Sequence, residues 1–285
     1  MTTAKDTLIV LLSDTHAGNN HALFPDRIWN GKNSNNHIPT SEQQGIYKQF
    51  VKFAEQVAER RKGKRVIIVH DGDAIEGVHH NNIDVCTRDT KEQADLHIEL
   101  MGLFQKSIGW KAGDQIYYVA GTETHTNDVE YDIAEQMNAA TGPDGRPVFD
   151  HLELIVNSVP MWFVHHGPGS NDALNEGNTL RNWLKSIYWT AKREGKQPPS
   201  VFASGHVHQP AYNTYTANTN GRYDYMTLHG IILPSWQAKT RYAYKKAAIA
   251  KNIIGGASFV VYANGTIETP VFCVMESQTA VRVEA

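Results

Sequence analysis

The sequence predicts an α/β protein, and three observations lead there. Short apolar runs of strand length alternate with longer segments whose apolar residues recur at helical spacing. The run Arg65-Val66-Ile67-Ile68-Val69 lacks polar alternation, as strands covered on both faces of a sheet do. The 285 residues, 41% hydrophobic and 20% charged, can bury a large core in one big α/β domain or two small ones.

Thr7 to Leu12 is apolar and reads as the first buried strand. The polar stretch 17–40, with Asn19, Asn20, Asn33, Asn35, Asn36, Pro25 and Pro39, reads as a long loop, and such loops usually carry function. It leaves the first strand beside a candidate ligand motif and so is placed to cover a site. A helix is expected over 41–61: Ile46, Phe50, Phe53, Ala54 and Val57 form one apolar stripe, Thr40 with Gln43 has the form of a capping box, and Gly63 ends it. The strand 65–69 follows, then a helix over 90–108 with Leu96, Leu100, Leu103 and Phe104 inward, and a strand over 115–120. A short helix over 129–140 stops at Thr141-Gly142-Pro143-Asp144-Gly145. Strands near 152–156 and 161–164 join tightly at Asn157-Ser158. A helix over 173–193, a strand at 201–203, another near 225–233 and a basic helix over 237–251 come next. The chain closes on a hairpin, 259–262 with 267–274, around the two-residue turn signal Asn264-Gly265.

Bulk properties exclude several classes. A net charge of −3 gives no global basic field to hold nucleic acid. Two cysteines, Cys86 and Cys273, do not make a disulfide framework. No apolar run is long enough to span a bilayer, and Thr7 to Leu12 lacks the flanks of a signal peptide. A soluble, cytoplasmic protein without membrane contact is expected.

Five short motifs each follow a predicted strand: Asp14-Thr15-His16, Gly72-Asp73, Gly121-Thr122-Glu123-Thr124-His125, His166-Gly167 and Gly205-His206-Val207-His208. Ends of neighbouring strands lie close together, so these motifs can converge, and because they come from both halves of the chain, 1–285 is expected to be a single domain. Asp and neutral His ligate Mn, Fe and Zn, and two such ions bind the attacking and leaving oxygens of a phosphate ester. Asp14 and His16 fall on the same side of an extended strand end and can share an ion; a plain turn is the competing reading. Asp73, preceded by glycine, is preferred to Asp71 as a ligand that bridges two ions. His206 and His208 can serve different ions if the loop turns between them; a surface pair is the bland alternative. Of His165 and His166, one ring should face the site, and His166, next to the glycine, is chosen.

The ordered set resembles the calcineurin-like metallophosphoesterase family, whose pattern is D-x-H, G-D, G-N-H-[DE], H-G and G-H-x-H. The match spans residues 14–208, and four of the five blocks fit as they stand. The resemblance implies a four-layer sandwich of two mixed β-sheets flanked by helices. Asp14, His16 and His208 would hold one metal, His166 and His206 the other, and Asp73 would bridge them. The third block departs: where the family has Asn, this chain has Thr122-Glu123. Glu123 is the stronger ligand chemically, Thr122 the better match by position, and Glu123 is favoured. His125 would be the general acid. The implied activity is hydrolysis of phosphate mono- or diesters by a hydroxide bridging two divalent ions, with Mn expected and Fe, Zn or Ni as alternatives.

Other features are secondary. His79 and His80, with Glu76, follow Asp73 closely and are candidate substrate contacts or supports; a solvated loop is equally plausible. His21, His37, His97, His151 and His229 have no motif context and read as surface or structural. Lys239, Arg241, Lys245, Lys246 and Lys251 among Tyr242 and Tyr244 give the last helix a basic face, which suits a solvated surface better than single-stranded nucleic acid. Two alternatives stand beside the leading reading: a nuclease of the same fold acting on nucleic acid, and an inactive metal-binding scaffold for a protein partner. Oligomeric state is left open.

Overall fold

A computed structural model describes residues 5–79, 83–126, 128–169, 176–219, 224–240 and 253–276. Along the chain the elements are β1 (Thr7–Leu12), α1 (Ser41–Arg60), β2 (Arg65–Asp71), α2 (Thr90–Ser107), β3 (Gln115–Val119), α3 (Val129–Gln136), β4 (Val148–Phe149), β5 (Leu152–Val156), β6 (Val159–Phe163), α4 (Glu176–Arg193), β7 (Val201–Ser204), β8 (Ala211–Asn218), β9 (Tyr225–Ile232), β10 (Ile253–Val261) and β11 (Val271–Glu276). The α/β class is as predicted. The first sheet has the order β11-β10-β1-β2-β3-β4, with β1 to β4 parallel and β10 and β11 antiparallel. The second has the order β5-β6-β7-β9-β8, with β6, β7 and β9 parallel and the two edges antiparallel. Both sheets are therefore mixed.

Side-chain alternation sorts the layers. Leu8, Val10 and Leu12 of β1, with Val66 and Ile68 of β2, pack against Ile46, Phe50, Phe53 and Val57 of α1 and Leu96, Leu100 and Phe104 of α2. Their strand neighbours Ile9, Leu11, Ile67 and Val69 face the other way, onto Met161, Phe163, Val201, Ala203 and Ile231 of the second sheet. Leu180, Leu184 and Tyr188 of α4 cover the far side of that sheet at Phe202, Leu228 and Ile232. The order is helices, sheet, sheet, helix. This explains why β1 and β2 read as unbroken apolar runs: both their faces are covered.

Local chemistry matches the elements. The capping box at Thr40 and Gln43 forms in both directions. Asn157 and Ser158 both adopt positive φ (49° and 66°), as a two-residue hairpin turn of the right twist requires, and Val156 pairs with Val159 across it. The closing hairpin differs from expectation. Gly265 at φ 83° donates to the Tyr262 carbonyl and Tyr262 to that of Thr266, so three residues, not two, make the turn. β4 and β8 have no counterpart in the sequence reading; β8 is half-buried along most of its length at a sheet edge and lacks a sharp pattern. The basic segment is not helical where described, at 237–240; its remainder, 241–251, lies outside the described residues. The 17–40 loop is tied to α1 and α2: Glu92 accepts from the backbones of Lys32 and Asn33, Glu99 from Arg27, and Gln43 donates to Asn19. Among the described residues no helix is long and apolar enough to cross a membrane.

Candidate metal centre

The motifs sit at the C-terminal ends of parallel strands: β1, β2 and β3 in one sheet, β6 and β7 in the other. They converge into two groups whose ligand atoms lie within 4.8 Å of one another, Asp14 with His16 and His208, and Asp73 with His165 and His206. A third group, His16 with Glu76 and His125, adjoins them. Gly72 permits the convergence: a Cβ there would lie 2.3 Å from His165 Nδ1 and 2.9 Å from Gly121 Cα.

The backbone is unusual at the candidate ligands. Asp14, His16, Asp73, His206 and His208 have φ of 53°, 41°, 52°, 65° and 58°, in the left-handed region. The Asp14–His16 pair is thus not assembled by alternation along an extended strand, as expected, but by left-handed turns that follow it. Such conformations cost about 1–3 kcal/mol each and persist where surroundings enforce them. Backbone bonds across the strand ends do so here: Asp14 N to Gly72 O at 3.0 Å and His16 N to Asp73 O at 3.0 Å. Thr15 is locked between, donating to Ala74 O (2.9 Å) and meeting His70 Nε2 (3.1 Å) and His97 Nδ1 (3.0 Å). His97 is therefore structural, as read from the sequence.

Charge and hydrogen bonding fix each side chain. Asp14 accepts from Ser13 Oγ and from His206 N (3.0 Å), and its Oδ1 lies 3.0 Å from His208 Nε2. Burial opposes its charge, but His208, His165 and His16 hold its pKa well below the carboxylate range. Asp73 Oδ1 accepts from Thr122 N at 2.6 Å, while Oδ2 faces His165 Nε2 at 3.1 Å and His16 Nε2 at 3.9 Å. Burial again opposes the charge of Asp73, and the histidines lower its pKa to about 2. His165 Nδ1 donates to Asp71 O at 2.7 Å, turning Nε2 toward the centre. The Asp71 carboxylate, by contrast, is buried with no hydrogen-bond partner among the described residues and pushed up to about 8 by burial.

Two imidazole nitrogens test whether a metal fits. His165 Nε2 and His16 Nε2 are buried and have no aligned hydrogen-bond partner among the described residues, although carboxylate oxygens stand 3.1 to 3.9 Å away. Buried imidazole nitrogens gathered beside carboxylate oxygens are a set that a divalent cation can bridge once the rings are neutral. Two carboxylates and four imidazoles are a donor set suited to divalent transition metals.

Two site expectations are corrected. His165, not His166, joins the cluster: it is buried and stands with Asp73 and His206, whereas His166 is exposed and in none of the groups. Its ring packs on that of His206, centroids 4.4 Å apart. Glu123 is exposed and belongs to none of the groups. His125 N and Thr126 N both bond to Thr122 O, so the chain turns after Thr122 and carries Glu123 and Thr124 outward. Thr122 stays over Asp73, its Oγ1 3.3 Å from Asp73 Oδ2 and 3.5 Å from His206 Nδ1.

Glu76 ties the rest together. Its Oε2 is 3.1 Å from His16 Nδ1 and accepts from Gln237 (3.0 Å), its Oε1 is 3.3 Å from His79, and its carbonyl accepts from His125 Nδ1 at 2.8 Å. Burial disfavours a charge on His16, but Glu76, Asp73 and Asp14 outweigh it and raise its pKa to about 8. His125 is lowered by burial and by the nearby His16. His79 packs on His125 at 4.4 Å, while His80 lies outside the described residues. Glu130 of α3, which no sequence motif marked, accepts from Gly121 N (2.8 Å) and Ala74 N (3.2 Å), clamping two ligand loops together. No protein-family model matches the chain, and no curated protein matches it.

Proposed function

We propose that the protein is a hydrolase of phosphate mono- or diesters that works with two divalent ions, Mn first among them and Fe, Zn or Ni as alternatives, on a fold like that of the calcineurin-like metallophosphoesterases. The observation that supports this best is the pair of neighbouring donor groups, Asp14/His16/His208 and Asp73/His165/His206, with Asp73 Oδ2 shared between His165 and His16. Bound there, two cations would supply Lewis acidity at phosphorus and lower the pKa of water for attack.

The chain's own residues do the rest. Thr122 N fixes one oxygen of Asp73 and leaves the other directed at the cluster. Glu76 orients His16 through Nδ1, and its carbonyl fixes the Nδ1–H tautomer of His125. His125 Nε2 is then the atom left for proton transfer to the leaving oxygen. Its lowered pKa makes it the stronger acid once protonated, and the negative charge of a bound phosphate favours that protonation. The test is hydrolysis of bis-p-nitrophenyl phosphate and p-nitrophenyl phosphate by metal-stripped protein with Mn²⁺ restored. Turnover that needs Mn²⁺ and drops about 100-fold or more in His125→Ala, with metal content retained, supports the reading. Bound metal without turnover of either ester overturns it.

A further inference from the structure

Beside the metal centre lies an open groove of about 970 Å³, and the two share His165, Thr122 and Gly121. One wall is aromatic. Trp162 of β6, Val164 just past its end and His166 in the bend that follows all line the groove. Trp162 pairs in register with Phe202 of β7, Phe202 lies 6.5 Å from Trp183 of α4, and His151 packs edge-on to Trp162 at 5.0 Å. The wall is thus continuous from the ring that packs on His206 to the indole of Trp183, which is 43% exposed. An indole left this open at the mouth of a groove is a surface for another ring to stack on. The other wall carries the carboxylates of Glu123, Asp128 and Asp150, and no Lys or Arg lines the groove among the described residues.

We propose that this groove is the subsite for the organic part of the substrate, that the part it takes is a neutral aromatic group bearing N–H or O–H donors, and that His166 is the step from the phosphate position to it. This rests on the phosphoesterase reading and narrows it to single-phosphate esters. The stacking faces suit a ring, and the carboxylates suit its donors while repelling a second phosphate. A polyanion such as a nucleic acid strand, which needs a basic track along its backbone, does not match this wall.

The test uses probes that cannot be hydrolysed. Phenylphosphonate, 4-carboxyphenylphosphonate and methylphosphonate are titrated by calorimetry into Mn²⁺-loaded protein and its Trp183→Ala variant, whose substitution at an exposed helix position leaves the core intact. The expected result is phenylphosphonate binding about tenfold tighter than methylphosphonate, the carboxylated ring losing most of that gain, and the phenyl-to-methyl ratio collapsing toward one in Trp183→Ala. Equal binding of the phenyl and methyl compounds overturns the subsite and leaves the metal reading standing. So does a preference that survives in Trp183→Ala. No binding of any phosphonate by Mn²⁺-loaded protein overturns the metal reading and the subsite with it.

Discussion

Asp14, His16 and Asp73, at the ends of β1 and β2, are at most 3% exposed, whereas at the end of β7 His206 is exposed and the His208 side chain is 31% exposed. The first set carries the formal charge, is buried at the strand ends and has its strained backbone pinned by cross-strand bonds. The second is neutral in metal-bound form and open to solvent. In a buried group, no water compensates a lost partner, so a change there falls on the whole centre. In an open group, solvent takes the vacated place. The buried half should decide whether ions bind, and the open half how tightly. Asp73→Asn tests the first clause and should have the largest effect: metal content and Mn-dependent turnover both fall by more than about 100-fold, read by elemental analysis of the dialysed protein. Metal content near that of the unaltered protein would refute the difference between the halves.

The pair His165 and His166 sharpens the same contrast within two adjacent residues. His165→Ala removes a buried imidazole 3.1 Å from Asp73 and should cost at least about tenfold in metal affinity. His166→Ala removes an exposed ring and should leave metal stoichiometry unchanged, since solvent replaces it. Calorimetric titration with Mn²⁺ separates the two, and equal losses would show that both rings ligate.

What could be read from the sequence divides along a related line. The strand-then-ligand motifs were legible because strands covered on both faces are unbroken apolar runs and the polar residues that interrupt them stand out. Asp14, His16, Asp73, His206 and His208, all of which fall in the two donor groups, were picked out this way. His165 was weighed beside His166 and set aside for proximity to Gly167; the bend that follows β6, which decides which ring turns inward, carries no pattern in the sequence. Thr122 against Glu123 was not legible from ligand strength, because a tight turn, visible only in the bonds to Thr122 O, decides which residue stays inward. Glu130 and the Thr15–His70–His97 bonds carry no local pattern at all; they join residues as far as 82 apart in sequence. The last basic segment was read as a helix, and its described part, 237–240, is not helical.

Glu76 offers a smaller and more graded probe. In metal-free protein the pKa values of His16 and His165 are raised to about 8 and about 10. Burial disfavours both charges, and the carboxylates, Glu76 first for His16 and Asp73 first for His165, overcome it. Raised folded-state values mean that the stability these rings contribute is full below pH 6.5 and is lost as pH rises through about 8 and then about 10. Metal binding runs the opposite way, because a ligating imidazole must be neutral. At pH 7 about two protons should therefore leave on saturation with Mn²⁺, and affinity should climb with pH. Glu76→Gln removes the strongest influence raising His16, so proton release should fall by about one, with metal affinity down about 10-fold. Calorimetry in two buffers of different ionisation enthalpy counts the protons, and an unchanged count in Glu76→Gln would separate Glu76 from His16.

The smallest effect belongs to Glu123, and it carries the most specific lesson about the altered third motif. A carboxylate is a better ligand than a hydroxyl, so chemistry alone favours Glu123; the turn at Thr122 overrides chemistry by pointing Glu123 into the groove. Glu123→Gln should leave Mn²⁺ stoichiometry and affinity within about twofold of the unaltered protein, as surface changes away from buried partners do. Thr122→Val keeps the backbone N–H on Asp73 but loses the hydroxyl between Asp73 and His206, and should weaken the ion at that pair by up to about 10-fold. If instead Glu123→Gln is the more damaging of the two, the loop closes inward when ions bind, and the third motif ligates through its carboxylate after all.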